Sequence, residues 1–382
     1  MSEINRPSIS QIGNPTRLRG KTRQRAAWTA IAAASAAAMG LGLAPAALGA
    51  CKIKVVGELQ VDTRYNRVTT QGQIDGKPIK VMIDTGASTT LIWADSAQRL
   101  GLHVTYQGRI KFYGVGGETQ PSQTVVKHLQ IGTMYADNMH FIVLEAKPNR
   151  PPGAPDLVLG NDTFAPFDTE FDLAHGKIRL LQPDGCTVDE LPYWTDTYSQ
   201  ADLETGGGPL RQLIKTRVLV NGKAVDAELD TGSQFSTITR QASEYAGVTP
   251  WVKDPHPAGV IYGIGAHPVE TWVGTFDSFS IGDESIKNVP MRIADLFAAD
   301  TSVRLGSRIA KQISNLPTML IGCDFFLAHH LLVVSRQRKL LFTYNGGTVF
   351  QVPRSRRPPS ATAPSTTTPA APGSAPAQGP KP

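Results

Sequence analysis

Two aspartates stand in identical tripeptides 146 residues apart, Asp84-Thr85-Gly86 and Asp230-Thr231-Gly232. Each closes an apolar, strand-like run. Each is followed well downstream by two apolar residues and a glycine, Val158-Leu159-Gly160 and Leu320-Ile321-Gly322. Two carboxyl groups held side by side can share one proton, because like charges a few ångströms apart do not both ionise readily. The ionised member then takes a proton from water, while the protonated member gives one to a carbonyl oxygen or a leaving group. Such protons belong to the pair, so neither aspartate is assigned as acid or base alone. Gly86 and Gly232 let the backbone turn tightly beside the carboxyls. A lone Asp-Thr-Gly is weak evidence, since an aspartate at a strand end also makes ordinary Asx turns. The recurrence in matched surroundings is what favours chemistry.

The elements that would position this pair are also written twice. Residues 74–86 align without a gap on 220–232, and the match continues from Leu100-Gly101-Leu102 to Ala246-Gly247-Val248. Further on, 129–132 match 279–282 and 157–162 match 319–324, in the same order in both halves. Asp75-Gly76 and Asn221-Gly222 predict tight hairpin turns. The short apolar or alternating runs after them, such as 79–83, predict strands, and 96–100 and 241–246 predict short helices. The 36 glycines and 28 prolines agree with many turns and short strands.

With these motifs in place, the sequence resembles the aspartic proteases, and among them the bacterial retropepsin-like group, twice over across most of residues 60–345. The family pattern is Asp-Thr/Ser-Gly-Ala/Ser, a glycine-containing flap, then two apolar residues and Gly. Here it reads Asp84-Thr85-Gly86-Ala87 and Asp230-Thr231-Gly232-Ser233. The flap candidates are Tyr113-Gly114-Val115-Gly116-Gly117 and Tyr262-Gly263-Ile264-Gly265; both also read as plain Gly-rich hairpin turns. The resemblance implies a mainly β fold of two homologous retropepsin/pepsin-like β-barrel lobes with the active cleft between them. It implies catalytic Asp84 and Asp230, with Thr85 and Thr231 bonding across the lobe interface. Gly86, Gly232 and Ser233 would support the site, Ser233 through a hydroxyl donated to Asp230 that Ala87 cannot supply. The flaps would cover an extended polypeptide substrate and bond its backbone. Retropepsins carry one flap per subunit, so two flap-like segments imply a fused dimer in which a monomer suffices. No cofactor is implied. One departure is clear: the viral pattern has Arg after the later glycine, where this chain has Asn161 and Cys323.

The remaining features bound the setting. A chain of 382 residues, 41% hydrophobic, is long enough for two domains. The formal charge of +6 sits at the ends: residues 1–50 carry +5 and 353–382 carry +4, which leaves −3 for the rest. That distribution gives no case for nucleic-acid binding. Residues 1–50 read as an export signal, with a basic stretch at Arg17, Arg19, Lys21, Arg23 and Arg25 before an apolar Ala-rich run. An uncleaved membrane anchor is the alternative. Exported, periplasmic or envelope-associated location follows from either. Leu48-Gly49-Ala50-Cys51 resembles a lipobox, so Cys51 is a candidate for lipidation or for a disulfide with Cys186. Cys323 reads as a small buried residue. The predicted organisation is a first lobe at 51–182, a polar Gly-rich linker at 183–209, a second lobe at 210–352, and a disordered Pro/Ala/Ser/Thr-rich tail at 353–382.

The eight histidines show no metal-ligand spacing, and adjacent His329 and His330 would point to opposite faces of a strand. Trp93, Trp251 and Trp272 read as core. Two rival functions are open at this stage. One is a two-lobed, actin-like nucleotide-binding protein, which needs long helices that the sequence does not show. The other is an envelope protein that keeps the protease fold and binds peptides without cutting them.

Overall fold

The computed structural model describes residues 50–106, 112–145, 150–204, 213–265, 267–297 and 316–352. The leader up to residue 49, the tail at 353–382 and glycines 206–208 of the linker lie outside the described residues. The first half forms β1 (Lys52–Gln60), β2 (Thr69–Ile74), β3 (Lys77–Ile83), β4 (Leu91–Trp93), β5 (Val104–Tyr106) and β6 (Phe112–Gly114). It continues with β7 (Gly117–Thr119), β8 (Ser122–Ile131), β9 (Met134–Leu144), β10 (Leu157–Leu159), β11 (Asp168–Asp172) and β12 (Lys177–Asp184). The second half forms β13 (Ser199–Glu204), β14 (Lys215–Val220), β15 (Lys223–Leu229), β16 (Thr237–Thr239) and β17 (Gly259–Ile261). It ends with β18 (Val269–Ile281), β19 (Glu284–Ala294), β20 (Met319–Ile321), β21 (His329–Val334) and β22 (Lys339–Tyr344).

Each lobe begins at the predicted hairpin. Asp75 and Gly76 have φ of 49° and 75°, and Asn221 and Gly222 have 48° and 72°. Two successive left-handed residues are what a type I′ turn requires, and its twist matches the strands on either side. The turns fix register, Ile74 opposite Lys77 and Val220 opposite Lys223. Alternation then buries Ile79, Val81 and Ile83 in the first half and Val225, Ala227 and Leu229 in the second, all within one continuous apolar core. The strand order β2-β3-β10-β4-β9-β8 closes on itself through β2–β8 pairing. The order β14-β15-β20-β16-β19-β18 closes through β14–β18 in the same way. These are two six-stranded barrels with one topology. The short helices appear at Ala94–Leu100 and Arg240–Tyr245, within two residues of the predicted spans.

Between the barrels runs an antiparallel sheet, β1-β12-β11-β21-β22-β13, with three strands from each half. Its seam is β11 against β21, where Thr169, Glu170 and Phe171 face Val333, Leu332 and Leu331. Phe171 meets Phe326 edge-on at 5.3 Å beneath it. Across the seam, His330 Nε2 lies 2.7 Å from the buried Glu170 carboxylate, and the Trp194 ring stacks on His330 at 4.1 Å. His329, on the other face as predicted, lies 3.1 Å from Glu284.

The segment expected as a loose linker is more ordered than its composition suggests. It contributes β13, which pairs with both β22 and β14, and it lays Leu191, Trp194 and Tyr198 on the seam sheet beside Leu332 and Leu341. A few apolar residues in a polar stretch are enough to anchor it, because each finds a prepared apolar face. Cys51 and Cys186 form a disulfide that ties the start of β1 to the chain just past β12. The Cys51 sulfur in this structure is therefore the atom that a lipid would need. Cys323 is fully buried. Among the described residues the longest helix has seven residues, and the two closed six-stranded barrels are a different architecture from the one the actin-like reading requires.

Candidate active site

Asp84 and Asp230 follow directly on β3 and β15, at the point where each barrel inserts its β10 or β20 strand in parallel beside them. The backbone N–H of Asp84 donates to Leu159 O at 3.0 Å, and that of Asp230 donates to Ile321 O at 2.8 Å. The later glycines are pinned as a matched pair. Gly160 N–H donates to Thr90 Oγ1 (3.1 Å), whose hydroxyl donates to Asp162 (2.8 Å). Gly322 N–H donates to Ser236 Oγ (2.9 Å), whose hydroxyl donates to Asp324 (2.7 Å). Burial pushes the Asp324 carboxyl up to about 6, against the pull of the N–H groups of Gln351, Ser236 and Phe325.

The two tripeptides then meet across the lobes. Thr85 N–H donates to Thr231 Oγ1 and Thr231 N–H to Thr85 Oγ1, both at 3.0 Å. Thr85 Oγ1 donates on to Leu229 O (2.7 Å) and Thr231 Oγ1 to Ile83 O (3.0 Å). All four bonds are buried. Because they cross from one lobe to the other, they set the separation of the adjacent aspartates.

The Asp84 and Asp230 carboxyls face each other, each set against the glycine of the opposite tripeptide. Each is also held at its base: Asp84 Oδ1 accepts from the N–H of Gly86 and Ala87, both at 3.0 Å. Asp230 Oδ1 accepts from Gly232 (2.8 Å) and Ser233 (3.2 Å). Burial first, and then the Asp230 charge and hydrogen bond, holds the Asp84 pKa well above its ordinary value. Burial also raises Asp230, opposed by the bond from Asp84 and by the N–H groups around it. The pair therefore retains a proton at a pH where ordinary carboxyls have lost theirs. Gly86 lies against the Asp230 carboxyl and Gly232 against that of Asp84; a Cβ on either would run into it.

Ser233 does not donate to Asp230 as expected. Its hydroxyl turns to Phe235 O at 2.9 Å, and only its backbone N–H reaches the carboxylate. Ala87 makes the same backbone contact, so the two aspartates are held alike at this position. At the positions where the viral pattern has arginine, Asn161 N–H donates to Ala87 O (2.8 Å) and the Cys323 thiol donates to Thr231 O (3.0 Å). Both continue the pinning of the aspartate loops.

The flap candidates come together. Tyr113 and Gly114 end β6, Gly117 starts β7, and Gly116 and Gly117 form the tip with φ of 87° and 112°, where a side chain would be strained. Tyr262, Gly263 and Gly265 form the tip that follows β17. Gly265 N–H donates to Val115 O and His267 N–H to Gly116 O, both at 3.1 Å, so the tips bond each other. Their side chains cross over. Ile264 of the second lobe packs on the first-lobe patch of Leu91, Leu144 and Val158 with Met82, Ala87 and Trp93. Val115 of the first lobe packs on the second-lobe patch of Val269, Ala294, Leu296 and Leu320. Tyr113 is half-buried, while Tyr262 is 68% exposed.

Sequence reasoning singled out the glycines and tyrosines of these segments and passed over Val115 and Ile264, the residues that cross. It also placed Trp93 in the core, where the structure leaves it half-buried in the patch under Ile264. Trp272 is buried as expected, and Trp251 is packed edge-on against it. Glu228 went unremarked, although a glutamate two residues before Asp230 in an otherwise apolar run was a visible anomaly.

The sequence profile of a family described as "Aspartyl protease" matches residues 70–163 and again 216–325, together just over half of the chain. Among solved structures, the chain is similar to a retropepsin-like aspartic protease from Rickettsia conorii. The identity is 17%, the match covers 35% of this chain and 94% of that one, and the TM-score is 0.26. No curated protein matches.

Proposed function

This chain belongs to the aspartyl protease family, and from that premise we propose that it is an endopeptidase in which Asp84 and Asp230 jointly activate a water molecule to hydrolyse a peptide bond. The observation that carries this is the meeting of the two Asp-Thr-Gly turns from opposite lobes, which sets each carboxyl against the glycine of the other turn in a pair whose pKa values burial raises. A pair holding one proton has a base for the water and an acid for the carbonyl oxygen in one place. After attack the proton positions are reversed, and the second transfer goes to the leaving amine. The flap tips lie over the barrel walls, with Val115 and Ile264 packed on them, and the flap strands offer backbone groups to which an extended chain can bond once the tips lift. Both aspartates lie in one chain, which supports activity as a monomer, and none of the steps calls for a cofactor.

The leader and the disulfide support export to an oxidising compartment. A tether through an uncleaved leader is compatible with this location.

The test is cleavage of a fluorogenic peptide library by the chain purified without its leader, compared with Asp84→Asn and Asp230→Asn. Both single variants should lose activity by at least ~1,000-fold, since each removes one partner of a shared proton. Normal turnover by either folded variant rejects the dyad. Peptide binding without cleavage by the wild-type chain would instead support a binding protein on the protease fold.

A further inference from the structure

Side chains on a strand alternate faces, so the residue two before each aspartate shares its face. In β3, Val81 and Ile83 enter the core, and Met82 looks the same way as Asp84. In β15, Ala227 and Leu229 enter the core, and Glu228 looks the same way as Asp230. These two positions are equivalent in the repeat, yet one is methionine and the other a carboxylic acid. Val158 lies beside Met82 and Leu320 beside Glu228 in register. Val158 is in the patch touched by Ile264, and Leu320 is in the patch touched by Val115. Each position therefore sits between an aspartate and the flap tip that crosses from the other lobe.

The two walls differ in chemistry. The first-lobe wall is apolar: Met82, Leu91, Trp93, Ile142, Leu144 and Val158. In the second lobe, Glu228 is 3% exposed and lies within the field of Asp230, Asp84 and Lys215. Lys215 stands directly opposite it on β14, where the first lobe has Thr69 opposite Met82. Arg292, farther along on β19, is turned onto the Phe235 ring. Burial and the two aspartates push the Glu228 carboxyl well above its usual value, against the pull of Lys215. Burying a carboxyl beside two others opposes folding. Met82 shows that the fold accepts an apolar side chain of similar length at this point.

We propose that Glu228 is the specificity-determining residue of the second-lobe half of the cleft, so that the preferred substrate places a basic side chain there and a large apolar side chain against the first-lobe wall. This rests on the reading of the cleft as a peptide-cleaving site. A lysine or arginine entering the second half meets three carboxyls against one facing ammonium, and it draws Glu228 into its ionised form. An apolar side chain in the same place leaves that carboxyl without the new partner. On the other wall the order of preference is reversed, because a cation there has the aspartates in common with the second half but meets no carboxyl of the wall itself, only apolar side chains and the Arg150 guanidinium over Trp93.

The experiment compares wild type with Glu228→Met, which copies the first lobe, and Met82→Glu, which copies the second, on a peptide library read by mass spectrometry. Wild type should cut between a large apolar and a basic residue. Glu228→Met should lose the basic preference by about tenfold in kcat/KM, equivalent to about 1.4 kcal/mol, and accept apolar residues on both sides. Met82→Glu should accept a basic residue on the other side. Glu228→Gln, close in shape but uncharged, carries the same test where the methionine variant does not fold. An apolar preference on both sides in wild type, or a profile unchanged in a folded Glu228 variant, overturns the proposal and makes the Glu228–Lys215 pair purely structural. Binding of uncleavable reduced-amide peptides that differ only as lysine against norleucine separates this from failure of the hydrolytic reading. A lysine preference that disappears in Glu228→Met supports the subsite even where nothing is cut. Equal binding of the two peptides rejects it even where cleavage is seen, and absence of binding and cleavage rejects both.

Discussion

Thr85 and Thr231 each give a backbone N–H to the other's hydroxyl at 3.0 Å, and each hydroxyl passes its own proton to a carbonyl of the opposite lobe. This closed circuit fixes the two aspartates next door more firmly than either lobe could alone, since neither tripeptide can shift without breaking buried bonds on both sides.

Thr85→Val or Thr231→Val should therefore be far from conservative. Each removes a hydroxyl and leaves one buried N–H and one carbonyl unmatched, at about 1–3 kcal/mol for each orphaned group. The melting temperature should fall in either variant, and kcat should fall about tenfold or more as the carboxyls lose alignment. Thr→Ser keeps the hydroxyl and should keep most of both. Thermal melts and steady-state kinetics on the four variants check this.

The pH dependence has a definite sign. The proposed mechanism needs one proton on the pair, and both aspartates are raised above their ordinary value of 3.8. The upper limb of the kcat/KM profile should thus lie above the usual carboxylate range, with activity falling as pH rises through it. Stability follows the same direction. A carboxyl raised on folding contributes fully below its unfolded value near 3.8, and loses that contribution as pH rises through the folded value. Asp84→Asn should consequently melt above wild type at pH 7 while inactive. The two should converge near pH 3, as scanning calorimetry across pH would record.

Ile264→Ala should separate binding from chemistry. The side chain packs on the wall of the other lobe, and its loss removes about 2–4 kcal/mol of apolar contact at most, less where the flap resettles. KM should rise several-fold with a smaller change in kcat, because the dyad and its threonine circuit are untouched. An unchanged KM would mean that the crossing of the tips plays no part in holding substrate.

The disulfide closes a span of 135 residues. Cys51→Ser with Cys186→Ser should lower stability by about 2–5 kcal/mol. The dyad does not depend on this bridge, so the variant should retain its kcat at 25 °C. Denaturant titration and a parallel activity assay measure the two effects.

Much of the site was readable from residue types and spacing. The repeated Asp-Thr-Gly, the Asp-Gly and Asn-Gly turns and the later glycines mark positions where backbone geometry restricts the choice of residue, so they stand out in a single sequence. The barrel lobes followed from the family resemblance that these motifs carry, while the period-two alternation of 79–83 and its copy marked only individual strands. The seam sheet did not, because β11, β21 and β22 are buried on both faces and carry no alternation, and β13 hides in a polar segment. The Ser233 hydroxyl was misassigned because spacing brings it near Asp230 but does not fix its rotamer; Phe235 O offered a partner as good. The crossing of Val115 and Ile264 depends on contacts between segments about 150 residues apart, which no local pattern encodes.

The seam has a further consequence. A cleft assembled from two copies of one chain has both walls under a single gene position, so a charge introduced into one wall appears in the other. Here β11 and β21 weld unlike halves into one molecule, and residues 82 and 228 are separate codons. The pair can drift apart: one wall is free to become acidic while its twin stays greasy.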